Sequence, residues 1–140
     1  VILLYIMLKN LKKLTTTRRG YIGESIVIDY LLKKNLRLYA PVIDDFHIDL
    51  VAEKDNKYTT MQVKYHCSMF NDTSIQVKVT KTTADWIVTP VHVDNNTHII
   101  WYKNTRKNKK YTIAFAISKP KNNQVKKINF YKSFLKCPFD

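Results

Sequence analysis

The sequence has few cysteines, few acidic residues and no apolar run long enough to span a membrane. Each of these shortages excludes some classes of site or of protein. Cys67 and Cys137 are its two cysteines, far apart and without a C-x-x-C pair. The chain is therefore predicted to have neither a disulfide framework nor a cysteine zinc site. Its four histidines are irregularly spaced, which also argues against a zinc centre. Low cysteine use favours a reducing, cytosolic setting.

Acidic residues are outnumbered by basic ones. Lys and Arg total 24 against 11 Asp and Glu, which gives a formal net charge of +13. This excess favours a polyanion as partner, because cationic side chains displace its condensed counterions. Charge does not identify the partner, since ribosomal and membrane-surface proteins are also basic. With 140 residues, 45% of them hydrophobic, the chain is long and apolar enough to fold.

The apolar start VILLYIML is much shorter than the ~20 residues that a membrane span needs. Positive charges follow it in KNLKKL, whereas a signal peptide carries them in front. We expect residues 1–14 to pack on the domain or on a partner subunit, and residues 15–140 to form one domain. No membrane partner is expected, and no repeat or low-complexity linker interrupts the chain.

The segment TTTRRGYIGESIVIDYLLKKN predicts a helix. Gly20 and Gly23, the only two glycines, are expected to mark its entry, and Asn35 can end it. At 100° per residue the helix has an apolar arc. Its members are Val27, Ile28, Leu31 and Leu32.

Glu24 falls in the middle of this arc. A carboxylate on an apolar face is rare unless a cation or a metal ion pairs with it. Alternatively, Glu24 lies in the first turn, where the helix dipole favours negative charge and water reaches the side chain. The helix pattern alone leaves both interpretations open.

The stretch DFHIDLVAEKDNKYTTMQVKY, residues 45–65, predicts a β-hairpin with a polar turn at EKDNK. Two-residue alternation places Asp49 on one face of the first strand, and Gln62 and Lys64 on one face of the second. These three polar side chains are expected to converge on one patch of the sheet. The opposite faces carry Phe46, Ile48 and Leu50, and Met61, Val63 and Tyr65.

Further strands are predicted from alternation and from apolar runs. SIQVKV alternates, DWIVTPVHV is continuously apolar, and DNNT connects it in a hairpin to HIIWY. Pro90 in the apolar run demands a bulge or an edge position. KNTRKNKK, residues 103–110, is a basic loop, YTIAFAI another strand, and KPKNNQVKKINFYKSF is expected to be partly helical. The fold class is α/β, with a mixed central sheet flanked by helices.

In this order, the helix with Glu24, the strand with Asp49 and the strand with Gln62-Val63-Lys64 resemble the PD-(D/E)XK nuclease superfamily. The resemblance is strongest to the branch of the cyanobacterial group I intron homing endonuclease, then to archaeal Holliday-junction resolvases. RRGYIGES matches the G-x-x-GE helix entry, HIDLV the metal-binding aspartate strand, and MQVKY the (D/E)-x-K strand. ADWIVTPV and PKNNQVKKI resemble the later strand and the C-terminal element, so residues 18–134 are covered. The ordered set is specific, although each motif alone is not.

The resemblance implies a restriction-endonuclease-like core and a metal-dependent DNA endonuclease. Asp49 would be the central ligand of Mg²⁺, which Mn²⁺ can replace, with the Gln62 amide oxygen and the Val63 backbone carbonyl beside it. Glu24 would bind the same or a second metal ion, directly or through water. Lys64 would orient or deprotonate the attacking water. Gln62 stands where the motif usually has Asp or Glu, so weaker cation binding is expected and the number of metal ions stays open.

Other residues are candidates for contact with DNA. Gln76 and Lys78 are expected to line the DNA channel, and the basic loop is interpreted as a clamp rather than as a merely solvated segment. His47 and His66 share faces with Asp49 and Lys64 and are expected to be polar strand residues near the mouth of the site. The full set of predicted DNA-binding residues is Arg18, Arg19, Gln76, Lys78, Arg106, Lys107, Lys109 and Lys110.

Several functional alternatives remain open at the level of sequence. They are a junction-specific nuclease, a catalytically inactive DNA-binding protein of the same fold, and a basic RNA-binding or ribosome-associated protein. One active site cuts one strand, so a homo-oligomer, dimer or tetramer, is expected. The expected location is the cytoplasm or nucleoid, or the host cytoplasm if a mobile element or virus encodes the chain.

Overall fold

The computed structural model describes residues 2–43, 46–67, 73–119 and 129–140. Within these ranges it has two α-helices, eight strands and one 3₁₀ turn, so the α/β class predicted from the sequence is confirmed. The helices are α1 (Ile2–Lys12) and α2 (Thr16–Leu32), and the 3₁₀ turn is Tyr131–Phe134. The strands are β1 (Arg37–Tyr39), β2 (Leu50–Lys54), β3 (Lys57–Val63), β4 (Ser74–Val79), β5 (Trp86–Val93), β6 (Asn96–Lys103), β7 (Tyr111–Ala116) and β8 (Asn129–Phe130).

The described strands form two sheets. The larger sheet has the order β1-β2-β3-β5-β6, in which β3 and β5 run parallel and the other neighbours antiparallel. It is therefore mixed, as predicted. The smaller sheet has the order β4-β7-β8 and covers one face of the larger one, with a shared apolar core between them.

Both predicted hairpins are confirmed, and their turns explain why. Asp55 and Asn56 have φ angles of 52° and 62°, and Asp94 and Asn95 have the same pair of values. Two consecutive left-handed residues make the turn whose twist matches paired strands, and Asn and Asp tolerate that backbone best. The polar Asp-Asn pairs therefore fix both connections locally.

The start of the first strand differs from the prediction. Strand β2 begins at Leu50, and His47 has a left-handed φ of 53°, which breaks the extended backbone. Phe46 is 68% exposed, so it does not share a buried face with Leu50. Period-two alternation therefore fails at Phe46 and His47 because the chain has not yet entered the sheet.

Helix α2 also begins earlier than predicted. Thr15 is its N-cap, and the Thr15 hydroxyl accepts a hydrogen bond from the Arg18 backbone N–H at 3.2 Å. Gly20 and Gly23 consequently lie inside the helix, and the expectation that they mark its entry is wrong. Glu24 lies more than two turns from the start, so the interpretation that the helix dipole stabilises it in the first turn is wrong as well.

The buried face of α2 is narrower than the predicted arc. Val27 and Leu31 are fully buried, but Leu32 is 56% exposed, so its assignment to the apolar face is wrong. The helix stops after Leu32, and Asn35 follows with φ of 60°, in agreement with its predicted role at the end. The first core packs α2 against one face of the larger sheet, and includes Val27, Leu31, Leu50, Met61, Val63, Val88 and Trp101.

The second core lies between the two sheets. It covers the other face of β5 and explains why this strand is buried on both sides, as its apolar run predicts. Pro90 causes no bulge, because the pairing of β5 with β6 is continuous from Trp86 to Val93. Pro90 instead lies beyond the end of β3, where an isolated bridge between His66 and Val91 continues the parallel pairing.

The apolar start of the chain forms helix α1. Leu8 is 2% exposed and packs inward, whereas Leu3 is 83% exposed. In the part of the chain that the structure describes, no helix is long and apolar enough to cross a membrane. At the other end, the motif PKNNQVKKI falls on residues 120–128, outside the described residues, and the chain returns as β8 and the 3₁₀ turn.

Gly23 and Gly20 offer a matched test of how closely α2 approaches the sheet. A Cβ atom at Gly23 would lie 2.5 Å from Tyr65 Cβ, whereas a Cβ atom at Gly20 would meet nothing within 4 Å. Gly23→Ala should therefore lower the free energy of unfolding by roughly 1–3 kcal/mol through overpacking. Gly20→Ala should raise it by up to about 1 kcal/mol through helix propensity. Urea titration measures both, and equal changes would contradict the close approach at Gly23.

Candidate active site

Asp49 is held against β3 by two hydrogen bonds. Its backbone N–H donates to the Met61 carbonyl at 2.9 Å, and its carboxylate Oδ2 accepts from the Val63 N–H at 2.8 Å. These two partners flank Gln62 in the chain. The structure therefore brings Asp49 to the segment that carries the predicted Q-x-K motif.

Gln62 is buried, with 2% of its surface exposed. Its side-chain Nε2 donates to the Thr80 hydroxyl at 2.8 Å. Its Oε1 is buried too, and it has no hydrogen-bond partner among the described residues. A buried carbonyl oxygen without a donor costs free energy, and a cation bound there would satisfy it.

Lys64 comes directly after β3 and continues in the direction of that strand. Its backbone N–H donates to the Val88 carbonyl at 2.9 Å, so it stays beside β5. The pleat places Lys64 on the same face as Gln62, and its side chain is half-buried. The next residue, Tyr65, points to the opposite face and meets Gly23 of helix α2.

Glu24 lies near the end of β3 because its neighbour Gly23 packs against Tyr65. The close approach of Gly23 to Tyr65 brings the turn of α2 that carries Glu24 beside the Lys64-Tyr65 segment. Glu24 is half-buried. Helix α2 packs on the face of the sheet that carries Met61 and Val63, whereas Gln62 lies on the opposite face. The Glu24 side chain can therefore approach Asp49 and Gln62 only beyond the end of β3.

Residues 80–85 join the site to the basic loop. Thr82 Oγ1 donates to the His47 carbonyl at 3.0 Å, close to Asp49. The buried Asn104 donates from Nδ2 to the carbonyls of Thr82 at 3.2 Å and Ala84 at 2.8 Å. The first residues of the loop are therefore fixed to the chain that also supplies Thr80. Nothing in the local sequence pattern distinguishes Thr80 or Thr82, because their roles depend on how the two sheets meet.

Asp85 ties the same segment to β3 and to the loop. Its Oδ2 accepts from the Thr60 N–H at 3.0 Å and from the Thr60 hydroxyl at 3.1 Å, and its Oδ1 accepts from Lys107 Nζ at 2.9 Å. Burial alone would raise the pKa of Asp85, but the bonds from Thr60 and Lys107 outweigh it and lower the pKa. Lys107 in the loop thus has an acidic partner that the local sequence does not contain.

The predicted DNA-binding residues lie on three elements. Arg18 is exposed and Arg19 half-buried in the first turn of α2, and Gln76 and Lys78 are exposed on β4. In the loop, the Arg106 guanidinium lies 5.8 Å from the centroid of the Tyr111 ring. Lys107, Lys109 and Lys110 are exposed as well, and Lys107 forms an ion pair with Asp85.

A tyrosine–histidine pair lies on the other face of the sheet. The Tyr65 hydroxyl is hydrogen-bonded to His92 Nε2, and His92 Nδ1 lies 3.0 Å from Thr97 Oγ1. Burial lowers the pKa of His92 and raises that of Tyr65, which favours two neutral groups. The pair braces the continuation of β3 behind Lys64. His66 also bonds to β5, through its N–H and the Pro90 carbonyl at 3.1 Å, whereas His47 is exposed.

The ligands that this site offers to a metal ion are oxygen atoms. Among the described residues, no group of three or more His, Cys, Asp and Glu side chains is placed to hold a metal ion. The oxygens near β3 are the Asp49 carboxylate, the Gln62 amide and the backbone carbonyls. Hard cations such as Mg²⁺ take such ligands and keep several water molecules, so the donor set and the buried Gln62 Oε1 fit a divalent cation.

Comparison with solved structures finds a match for the fold. A bacterial homing endonuclease, I-Ssp6803I, superposes with a TM-score of 0.61 and 18% sequence identity over 77% of this chain and 80% of that chain. At this identity the likeness concerns the fold, and it confirms the restriction-endonuclease-like core. No curated protein matches the sequence.

A family model gives the stronger result. The model described as PD-(D/E)XK endonuclease matches residues 14–136, which is most of the chain. It includes the segments with Glu24, Asp49, Gln62 and Lys64. The resemblance to the PD-(D/E)XK superfamily seen in the sequence is thereby confirmed, and the fold of the homing endonuclease agrees with it. The chain belongs to the PD-(D/E)XK endonuclease family.

Proposed function

We propose that this nuclease is a divalent-metal-dependent DNA endonuclease whose active site is built from Glu24, Asp49, Gln62 and Lys64. The observation that carries the proposal is the buried Gln62 Oε1 without a partner among the described residues, beside a carboxylate bonded to the Val63 N–H. A polar atom in that position is explained if a cation is its partner.

Asp49, the Gln62 amide oxygen and the Val63 carbonyl would hold the cation, with Glu24 completing the set directly or through water. When bound, such a cation neutralises charge that develops on the phosphate and makes water acidic enough to attack at neutral pH. Thr80 holds the Gln62 amide in one orientation through its hydrogen bond to Nε2. The carbonyl end is then turned away from Thr80 and is available as a ligand.

Lys64 would act on the attacking water. It follows Gln62 on the same face, so its ammonium can reach a water molecule and a phosphate oxygen next to the cation. As an ammonium, Lys64 would orient that water by donating a hydrogen bond to it, and its positive charge would offset the negative charge of the phosphate. As a neutral amine it would instead accept the proton of that water and become the ammonium. The position is fixed by the bond from the Lys64 N–H to Val88.

The proposed substrate is DNA. The net charge of +13 favours a polyanion, and the exposed cations of α2, β4 and the basic loop supply phosphate contacts. A DNA substrate implies that the protein works in the cytoplasm or nucleoid. Plasmid, linear and four-way-junction DNA, tested in parallel, would separate a site-specific enzyme from a junction-specific or end-specific one.

Asp49→Asn and Lys64→Ala test the catalytic roles. Each should reduce Mg²⁺- or Mn²⁺-dependent cleavage by at least roughly 100-fold, because each removes a charge that stabilises the transition state. DNA binding should persist, since the amide oxygen introduced by Asp49→Asn can still accept the Val63 hydrogen bond. Cleavage of labelled duplexes and gel-shift binding measure the two effects.

The matched control for Lys64→Ala is Lys57→Ala, which removes an exposed lysine from the same strand. Cleavage by Lys64→Ala at the wild-type rate would contradict the proposal. If the wild type binds DNA but cuts none of the substrates, the protein is an inactive member of the family. If RNA is bound in preference and the site variants behave like the wild type, the RNA-binding alternative is correct.

Gln62→Glu tests whether the side chain of Gln62 is a ligand. A carboxylate in place of the amide should tighten Mn²⁺ binding, because it adds a charge to the donor set. Without metal the same change should lower the free energy of unfolding, because the new carboxylate is buried. Isothermal titration calorimetry and thermal unfolding with and without Mn²⁺ measure both effects.

Gln76→Glu is the matched control, because it makes the same charge change on the exposed face of β4. It should leave Mn²⁺ affinity unchanged. Equal Mn²⁺ affinities for the wild type and Gln62→Glu would place Gln62 outside the ligand set.

We further propose that α1, within residues 1–14, contributes to a homo-oligomer. Leu3, Ile6 and Met7 are spaced as neighbours on one helical face and are exposed. Light scattering of the wild type should show a dimer or tetramer, and Leu3→Glu with Ile6→Glu should shift it to monomer. Leu32→Glu, at an exposed leucine of α2, is the control and should not. A wild-type monomer at micromolar concentration, free and DNA-bound, would contradict this assignment.

A further inference from the structure

The exposed face of the β4–β7 pair has a distinctive composition. In β4, Ser74, Gln76 and Lys78 are exposed, while the residues between them are buried in the second core. Across the ladder, Gln76 is paired with Ala114 and Lys78 with Thr112, and both partners are exposed. None of these five residues is acidic. We call these five residues the β4–β7 face.

In the described sheet β8 pairs with β7 at Phe115 and Ala116, so the part from Gln76 to Val79 is a two-stranded ribbon of β4 and β7. β4 is an edge strand, because β7 is its only partner in the described sheet. The pairing is antiparallel from Ser74 to Val79 without interruption. A two-stranded antiparallel ribbon is one of the two elements that fit the major groove of duplex DNA, which is about 12 Å wide.

The β4–β7 face leads directly to the candidate active site. Thr80, which holds the Gln62 amide, follows the last residue of β4. It is two residues from Lys78, a distance of about 7 Å along an extended chain, and its side chain turns to the buried Gln62. DNA bound at the active site would therefore extend over Lys78 first and Gln76 next.

The residue types match the chemistry of base edges. Glutamine can bond to both N6 and N7 of adenine, lysine to O6 and N7 of guanine, and the methyl groups of Thr and Ala contact the thymine methyl. Lys78 is the single cation among these five residues, so the β4–β7 face is less suited to binding phosphate than a row of lysines and arginines would be. Gln76 stands opposite the small Ala114, which leaves space above the ribbon for a base edge.

We propose that the β4–β7 face reads base pairs in the major groove beside the scissile phosphate, an inference that rests on the proposed DNA-endonuclease function. Gln76 reads adenine and Lys78 reads guanine. Alternate residues of a strand are about 6.7 Å apart, and base pairs are stacked about 3.4 Å apart. The two positions read are therefore about two base pairs apart, with the Lys78 position nearer to the cut.

Selection from a random duplex library tests the proposal without cleavage. The wild-type chain in EDTA should enrich sequences with an A and a G about two positions apart. Gln76→Ala and Lys78→Ala should each abolish the preference at one of these positions, a loss of about 5- to 150-fold in discrimination. Gln76→Glu should move its position towards C, because a carboxylate accepts from cytosine N4.

Lys109→Ala is the matched control for a phosphate contact, since Lys109 is an exposed lysine of the basic loop. It should weaken binding to all sequences alike and reduce the salt dependence. If Gln76→Ala and Lys78→Ala behave in this same way, or if the wild type has no sequence preference, the β4–β7 face does not read bases.

The outcome for this face is separable from the outcome for the proposed function. Sequence preference that the Gln76 and Lys78 variants alter, combined with no cleavage in Mg²⁺ or Mn²⁺, would leave the reading face intact and overturn the endonuclease proposal. Metal-dependent cleavage without any sequence preference would support the endonuclease proposal and overturn the proposal that the β4–β7 face reads bases. All four variants change exposed side chains, and unchanged thermal unfolding would show that their folds are intact.

Discussion

The hydrogen bond from Gln62 Nε2 to the Thr80 hydroxyl joins the two sheets at the candidate site. Gln62 belongs to β3 of the larger sheet, and Thr80 leaves the end of β4 in the smaller one. A buried amide has to be hydrogen-bonded, so the position of β4 relative to β3 is constrained by this bond as well as by apolar packing. The same bond sets the direction of the Gln62 carbonyl oxygen.

Residues 80–85 extend this constraint in two directions. Thr82 binds the chain before Asp49, and Asp85 binds Thr60 in β3 and Lys107 in the basic loop. A site held by such supporting contacts keeps its geometry better than one that depends on long surface side chains. Helix α2 closes the other side, where Gly23 allows its backbone to approach Tyr65. The proposed ligands are thus fixed by contacts that are remote in sequence.

Features that depend on local chemistry were predictable from the sequence. The alternation of β4 and the Asp-Asn turns of both hairpins act within a few residues, and both predictions hold. Features that depend on tertiary contacts were not. Gly23 resembles a helix entry but serves a close contact with Tyr65, and the N-cap is Thr15 instead. The role of Thr80 as the hydrogen-bond partner of Gln62 could not be predicted from the sequence, because it arises only where the two sheets meet. The family was recognisable because its motifs follow one another in a fixed order along the sequence. The roles of Glu24, Asp49, Gln62 and Lys64 within it stay predictions.

The amide at position 62 suits a site as deeply buried as this one. A carboxylate at 2% exposure next to Asp49 would carry a desolvation penalty, and repulsion between the two groups would raise the pKa of one of them. Before a cation binds, such a pair would lower the stability of the fold. An amide avoids both costs, and Thr80 already satisfies its N–H end. In the proposed site, the amide would contribute less charge to cation binding than a second carboxylate, but it would leave the metal-free protein more stable. In the proposed site, cation affinity would then depend more heavily on Asp49 and Glu24, and on the phosphate of the substrate.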